Sequence, residues 1–97
     1  MLTAYFTGEL DEYAAEPVRR KLDNELENRY YSAAVFDFTN LQFMDSTGIG
    51  MLLGRYKTAS RRNIKIYIRN ASPQVEKLLI MTGIYRIMPK IGNEEAL

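Results

Sequence analysis

Four short runs of apolar and β-branched residues alternate with amphipathic stretches along this chain of 97 residues, and only a few residues separate each run from the next stretch. That alternation is the strongest constraint on the fold. A strand, a helix and a second strand in succession place the two strands parallel through a right-handed crossover, with the helix lying over the sheet. Residues 2–7 are rich in β-formers and are closed by Gly8, with a loop over residues 9–13. Residues 33–38, reading AAVFDF, are almost continuously apolar, as suits a strand covered on both faces. Residues 64–68 alternate, and residues 84–88 make a last short strand.

The intervening stretches carry helical spacing. In the first, Pro17 sits in the opening turn, and Ala15, Val18, Leu22, Glu25/Leu26 and Arg29 recur on one face; Tyr30 and Tyr31 then pack at the joint to the next strand. In the second, residues 46–61, the inward stripe is Ile49, Leu52, Leu53, Tyr56 and Ala59/Ser60, which leaves Met51 and Arg55 on the outer face beside Gly48. In the third, Ser72 before Pro73 is an N-cap, Val75, Leu78 and Leu79 face inward, Thr82 ends the stripe and Gly83 is the stop. Asn93 with Glu94 and Glu95 starts a final stub of helix. The expected architecture is one α/β domain over residues 1–97, a mainly parallel (mixed) four-stranded sheet covered by about four helices.

Composition narrows the chemistry. The chain has no His and no Cys, which removes imidazole bases, Ser-His-Asp triads, thiolate nucleophiles, disulfides and the usual zinc sites. What survives is carboxylate or hydroxyl chemistry, oxygen-ligated cations, or a domain that works by binding; an enzyme is not expected, nor a cofactor or a metal. No apolar run approaches the roughly 18 residues that a membrane span needs, and no charged-then-apolar leader is visible, so the expected location is the cytoplasm. The net charge of +1 conceals a division: residues 1–45 carry nine acids and four bases, residues 46–97 nine bases and three acids. No acid lies between Asp45 and Glu76, whereas Arg55, Lys57, Arg61, Arg62, Lys65 and Arg69 all fall there. That window reads as a solvated helix flank, a contact for an acidic partner or, less favourably, a nucleic-acid surface, since the aromatics that would stack on bases are few: Tyr56 is on the inward stripe and Tyr67 can face either way.

In parallel sheets functional residues gather beyond the carboxyl ends of the strands. Asp11, Asp37 and Asp45 qualify by position; together they offer a possible Mg²⁺ set, although Asp37 alone reads better as a hydrogen-bonded residue ordering the loop at Asp45. The most informative segment is Phe43-Met44-Asp45-Ser46-Thr47-Gly48-Ile49-Gly50. Asp45, Ser46 and Thr47 are all capping types, so a capped helix would account for them. The glycines count against that as the whole story. Gly48, Gly50 and Gly54 each weaken a helix interior by roughly 1 kcal/mol relative to Ala, and so call for close backbone approach or access to the helix start. Two hydroxyls at such a helix start form a place to receive a phosphoryl group, because the free N–H groups and the dipole favour an anion. Two other motifs fail on spacing: Gly48-x-Gly50-x-x-x-Gly54 is one residue too long for a dinucleotide fingerprint, and Asp45-Ser46-Thr47-Gly48 delays its glycine by one residue relative to an aspartic protease.

FMDSTGIGMLLGRYK, preceded by TGELD at Thr7 to Asp11 and followed by ASPQVEKLLIMTGIYRI from Ala71 to Ile87, resembles the anti-sigma factor antagonists of the STAS domain family. The resemblance covers nearly the whole chain. It implies a STAS fold and a partner switch: the dephosphorylated domain binds an anti-sigma factor that is also a serine kinase and so releases a sigma factor, phosphorylation of Ser46 abolishes binding, and a serine phosphatase resets the switch. Ser46 would be the phosphoacceptor, Asp45 its neighbour and Thr47 the adjacent hydroxyl; the docking surface would be Asp11, Asp45, Ser46, Thr47, Gly48, Met51 and Arg55. Relatives usually have an additional strand before residues 2–7, and many have a capping hydroxyl where Ala14 stands, so the first sheet edge is expected to lie open, the start of the first helix to fray and the chain to be a monomer or weak dimer. Two alternatives share these features: a non-phosphorylated STAS subunit of a transport or sensory assembly, and a basic nucleic-acid binder.

Overall fold

In the computed structural model, which describes residues 1–92, the chain forms three strands and three α-helices in strict alternation. They are β1 (Leu2–Leu10), α1 (Glu12–Asn28), β2 (Ala33–Met44), α2 (Ser46–Arg61), β3 (Lys65–Arg69) and α3 (Pro73–Thr82), followed by a 3-10 turn at Ile84–Arg86. The strands lie side by side in chain order, and both pairings are parallel. The expected α/β layering therefore stands, with three strands instead of four.

The fourth strand is a correction. Gly83 takes the left-handed conformation, φ 75°, that ends α3, and the next three residues continue as a 3-10 turn in place of an extended run. Among the described residues after Gly83, the sheet is extended by a single parallel bridge from Lys90 to Ile68, in which Ile68 N–H donates to Pro89 O and Ile91 N–H to Ile68 O, each at 2.9 Å. The helical stub expected at Asn93 lies outside the described residues.

The core joins the sheet to all three helices and to the 3-10 turn: Val75 and Leu79 of α3 and Ile84 of the turn belong to it with residues of α1 and α2. Phe6 packs against Phe36 and, edge to face, against Phe38, with ring centroids 5.2 and 5.0 Å apart. Leu22 and Leu26 of α1 and Ile49, Leu52 and Ala59 of α2 close over these rings with Ile66 and Ile68. Each such side chain removed from water contributes roughly 1.5–3 kcal/mol. Ala34, Val35, Phe36 and Phe38 are all fully buried, so β2 is covered on both faces as its composition requires.

Several boundaries differ from the sequence reading. β1 runs through Gly8 to Leu10, and β2 runs six residues past Phe38, absorbing most of the expected loop. Helix α1 starts at Glu12, so Pro17 lies inside it and not in its opening turn; there the missing N–H leaves the Tyr13 carbonyl without its helical donor, at an exposed position. The start does not depend on Ala14, because Asp11 caps it. Tyr31 donates from its hydroxyl to Glu25 Oε2 at 2.7 Å and packs on the core, whereas Tyr30 is exposed. Ser72 and Gly83 cap α3 at its two ends as expected. Among the described residues no helix is long and apolar enough to cross a membrane.

Candidate functional site

The last paired residues of β1 and β2 are Leu10 and Met44, in register with one another. The chain leaves both strands in the same way. Asp11 and Asp45, each with extended backbone, become the N-caps of α1 and α2. Asp11 Oδ1 accepts from Tyr13 N and Ala14 N, both at 3.0 Å; Asp45 Oδ1 accepts from Thr47 N at 2.9 Å and Gly48 N at 3.4 Å. Two helix N-termini therefore open beside each other at the carboxyl end of the sheet, each with two of its otherwise free N–H groups satisfied by a carboxylate. Ser46 and Thr47, the first two residues of α2, are exposed between these caps and solvent.

Gly48 is placed by packing. A β-carbon on it would lie 2.5 Å from Met44 Cγ and 3.0 Å from the carbonyl oxygen of Leu10, so only glycine lets α2 settle on the ends of both strands. It is buried, which makes it a positioning residue beneath the surface and not a surface contact. Gly50 and Gly54 differ: a β-carbon at either would meet nothing within 4 Å. Their absence of side chains leaves the outer face of α2 bare next to Ser46, and the side chains exposed along that face are Leu53 and Lys57.

Met51 and Arg55, expected on that outer face, are instead buried at 6% exposure each. Arg55 turns toward α1, and its Nε lies 2.7 Å from Asp23 Oδ1. The contact is an ion pair off the hydrogen-bonding line, and Arg55 Nη1 has no hydrogen-bond partner among the described residues. Burial lowers the pKa of this guanidinium, while Asp23 draws it back up. Its work is to join the two helices. Leu53, expected inward, is 39% exposed. The helix is rotated so that its arginine meets an acid that lies more than thirty residues earlier in sequence, a pairing invisible to periodicity alone.

Asp37 is also elsewhere than expected. It is buried in mid-strand, eight residues and on the order of 20 Å before Asp45, and does not order that loop. Its Oδ1 accepts from Thr39 N at 2.9 Å and Thr39 Oγ1 at 2.6 Å, and its Oδ2 from Arg69 Nε at 2.8 Å. Burial by itself would raise its pKa; the Thr39 hydroxyl, the Arg69 guanidinium and the Thr39 amide together outweigh burial and hold the carboxyl below its ordinary value. Asp37 is thus the clamp between β2 and β3. Asp11, Asp37 and Asp45 are not gathered, and among the described residues no group of three or more such ligands is placed to hold a metal ion. The basic window is likewise divided: Arg55 and Arg69 are spent on Asp23 and Asp37, and Arg62 donates to the Glu27 carbonyl, leaving Lys57, Arg61 and Lys65 exposed.

Two exposed aromatics at this end of the sheet escaped the sequence reading. Tyr13, second in α1, is 83% exposed, and Phe43, in register with Glu9 at the end of β2, is 37% exposed. The signal that finds Tyr13 is the matched spacing of Leu10-Asp11-Glu12-Tyr13-Ala14 and Met44-Asp45-Ser46-Thr47-Gly48, two strand exits of one design. Phe43 has no comparable signal, because the loop predicted there is a strand.

Comparison with known proteins agrees with this geometry. An anti-sigma F factor antagonist from Paenibacillus polymyxa is 37% identical over 94 residues, covering 97% of this chain and 80% of the relative. The solved structure of the anti-sigma factor antagonist SpoIIAA in its unphosphorylated form superposes with a TM-score of 0.82 at 29% identity, covering 95% of this chain and 80% of that one. The Bacillus cell fate determinant SpoIIAA in its phosphorylated form gives 0.72 at 28% identity, covering 95% and 83%. The model of the STAS domain matches residues 2–96, and the chain therefore belongs to the STAS domain family, with its similarity running to the anti-sigma factor antagonists within it.

Proposed function

We propose that this chain is an anti-sigma factor antagonist that works as a partner switch, with Ser46 as the residue whose phosphorylation throws it. The dephosphorylated form binds an anti-sigma factor that is also a serine kinase; phosphorylation ends that binding, and a serine phosphatase restores it. The observation that carries the reading is the exposure of Ser46 at the first position of α2, where the capping of Asp45 and the packing of Gly48 are already accounted for and the hydroxyl is not. The relatives named above support the general role, and the pair of SpoIIAA forms supports phosphorylation as its control.

The chemistry fits. A kinase supplies the nucleotide and the catalytic groups, so the chain needs neither His nor Cys. A phosphoserine carries about −1.5 to −2 charges at neutral pH, and the dipole of α2 accepts that charge. A docked partner would have to desolvate it beside Asp45. Burying an unmatched charge at an interface costs roughly 2–5 kcal/mol, and about 1.4 kcal/mol already weakens a complex tenfold. The contact surface is the exposed part of this end of the sheet: Asp11, Tyr13, Phe43, Asp45, Ser46 and Thr47, continued along α2 by Gly50 and Leu53. Met51 and Arg55 are beneath it and hold α2 in place.

The test is incubation with the cognate anti-sigma kinase and ATP, read by intact mass. Wild type and Thr47→Ala gain one phosphate, and Ser46→Ala gains none. In titration calorimetry Ser46→Asp binds the kinase at least tenfold more weakly than wild type. Equal modification of wild type and Ser46→Ala, or equal binding by Ser46→Asp, overturns the reading.

A further inference from the structure

Gly48 seats the first turn of α2 on the ends of β1 and β2. A helix held at one end can still tilt and slide about that point. Apolar contacts such as those of Leu52 and Ala59 resist this weakly, because burial is non-directional. Two directional contacts lie further along, both made to α1. Arg62 Nη1 donates to the Glu27 carbonyl near the end of that helix, and Arg55 Nε meets Asp23 Oδ1 at 2.7 Å in its middle.

The middle contact is not explained by stability. The Arg55 and Asp23 side chains are 7% and 17% exposed, yet Asp23 Oδ1, Arg55 Nε and Arg55 Nη1 all lack a hydrogen-bond partner among the described residues. Two charges withdrawn from water and so imperfectly paired contribute little; apolar residues of similar volume in their place are often neutral or stabilising. Register gives the pair a reason. The two helices start beside each other after Leu10 and Met44. At about 1.5 Å per residue, Asp23 lies about 17 Å along α1 and Arg55 about 14 Å along α2, so the contact joins points of nearly equal depth. The charges that flank it on α1 alternate. Glu16, Arg19, Asp23 and Glu27 recur every three or four residues, and Arg19 is held by Glu16 and by Asp23 Oδ2. Asp23, Glu16 and Glu27 favour the charge of Arg55 and Arg19 opposes it. A slip of α2 by one turn toward the start of α1 would set Arg55 against Arg19. A slip the other way would bring it to Glu27, where Arg62 already sits.

We propose that Asp23 and Arg55 are positioning residues for partner binding: the pair sets the offset and tilt of α2 against α1, and so holds Asp11 and Tyr13 on one helix start and Ser46 and Thr47 on the other as a single surface. The inference rests on the reading of Ser46 as the switch. Both side chains act through the helix starts, one or two nanometres away, and neither belongs to the contact surface itself.

The test replaces the pair by apolar residues of similar volume, Asp23→Leu/Arg55→Met. Its urea midpoint is expected at or above that of wild type, which keeps folding apart from positioning. Since the chain has no cysteine, nitroxides can be placed at Asn28→Cys and Thr47→Cys, both exposed, one ending α1 and the other in the first turn of α2. Double electron–electron resonance between them should give one narrow distance distribution with the pair intact and a broader or displaced one without it. With the cognate anti-sigma kinase and ATP, the double variant without labels should show a KM at least fivefold higher than wild type and a kcat within twofold, because the surroundings of Ser46 are unaltered. An unchanged distance distribution overturns the proposal. So does an unchanged KM where the wild type is phosphorylated at Ser46, which leaves the switch reading standing. A lowered urea midpoint assigns the pair to stability and overturns it as well. If the kinase leaves the wild type unmodified, the switch reading falls and this role falls with it.

Discussion

The N-termini of α1 and α2 are the same device built twice. Each follows the last residue of a parallel strand, each is capped by an aspartate in extended conformation, and each carboxylate takes the N–H groups of the second and third helical residues. Their first turns then diverge. α1 opens with Glu12, Tyr13 and Ala14; α2 opens with Ser46, Thr47 and Gly48. Capping explains both aspartates, so neither is by itself a sign of function. Packing explains Gly48, which is pressed onto Leu10 and Met44, whereas Ala14 has room for its methyl beside the groove between β1 and α1. Subtracting the two accounts leaves only the paired hydroxyls of Ser46 and Thr47 without a structural reason. The proposed switch at Ser46 rests on that remainder, which is smaller than the motif that contains it.

The largest effect on stability is expected where the two turns differ in volume. Gly48→Ala gains helix propensity, worth up to about 1 kcal/mol, but forces Met44 and the Leu10 carbonyl apart. Overpacking of this kind costs roughly 1–3 kcal/mol, so the variant should be less stable than wild type in urea unfolding. Gly50→Ala, with nothing within 4 Å of the new methyl, should be more stable by up to about 1 kcal/mol. Opposite signs two residues apart would establish that α2 is clamped to the sheet at its first turn only. If both substitutions stabilise, the two helix starts are equally loose and the contrast fails.

A smaller effect separates the caps. Asp11→Ala and Asp45→Ala each remove a carboxylate from two backbone donors and should cost about 1 kcal/mol, read by the same urea titration. Asp45 should be the milder loss, because its bond to Gly48 N is 3.4 Å long whereas both bonds at Asp11 are 3.0 Å. In kinase binding the order should reverse, since Asp45 adjoins Ser46. A common rank in both measurements would mean that the caps act on binding only through stability.

What the sequence made legible follows from how local each interaction is. Ser72 before Pro73, Gly83 at the end of α3 and the unbroken apolar run at the start of β2 are decided within a few residues, and each stands where periodicity puts it. The Ser46 segment was legible for the same reason, being a strand exit and a helix start in direct succession. Arg55 was not. The inward stripe read from periodicity placed it outside, and only the folded proximity of Asp23 on a neighbouring helix makes a buried position tolerable. Asp37 was misplaced through Arg69 in like manner. The segment after Gly83 failed on different grounds: Ile84, Tyr85 and Ile87 have the composition of a strand, but a left-handed glycine and a 3-10 turn redirect the chain, and among the described residues it meets β3 in a single bridge at Lys90. Propensity there lost to geometry.

The smallest expected effect on stability is also the one that decides how a switch at Ser46 would operate. A negative group at the first position of α2 gains about 0.3–1 kcal/mol from the helix dipole and loses a comparable amount to the adjacent Asp45. Ser46→Asp should therefore unfold within about 0.5 kcal/mol of wild type. The molecule already contains the control, because α1 begins with Asp11 followed by Glu12, an acid at the first helical position directly after a capping acid, and that helix runs unbroken to Asn28. The substitution gives α2 the opening that α1 has. Since such an opening leaves a helix intact, a tenfold loss of kinase binding at unchanged stability would place the whole effect at the interface, where the charge must be desolvated. A drop of 2 kcal/mol or more in the same titration would instead mean that the modification melts the first turn of α2, and the two helix starts, alike in their caps, would then differ in how much charge they can carry.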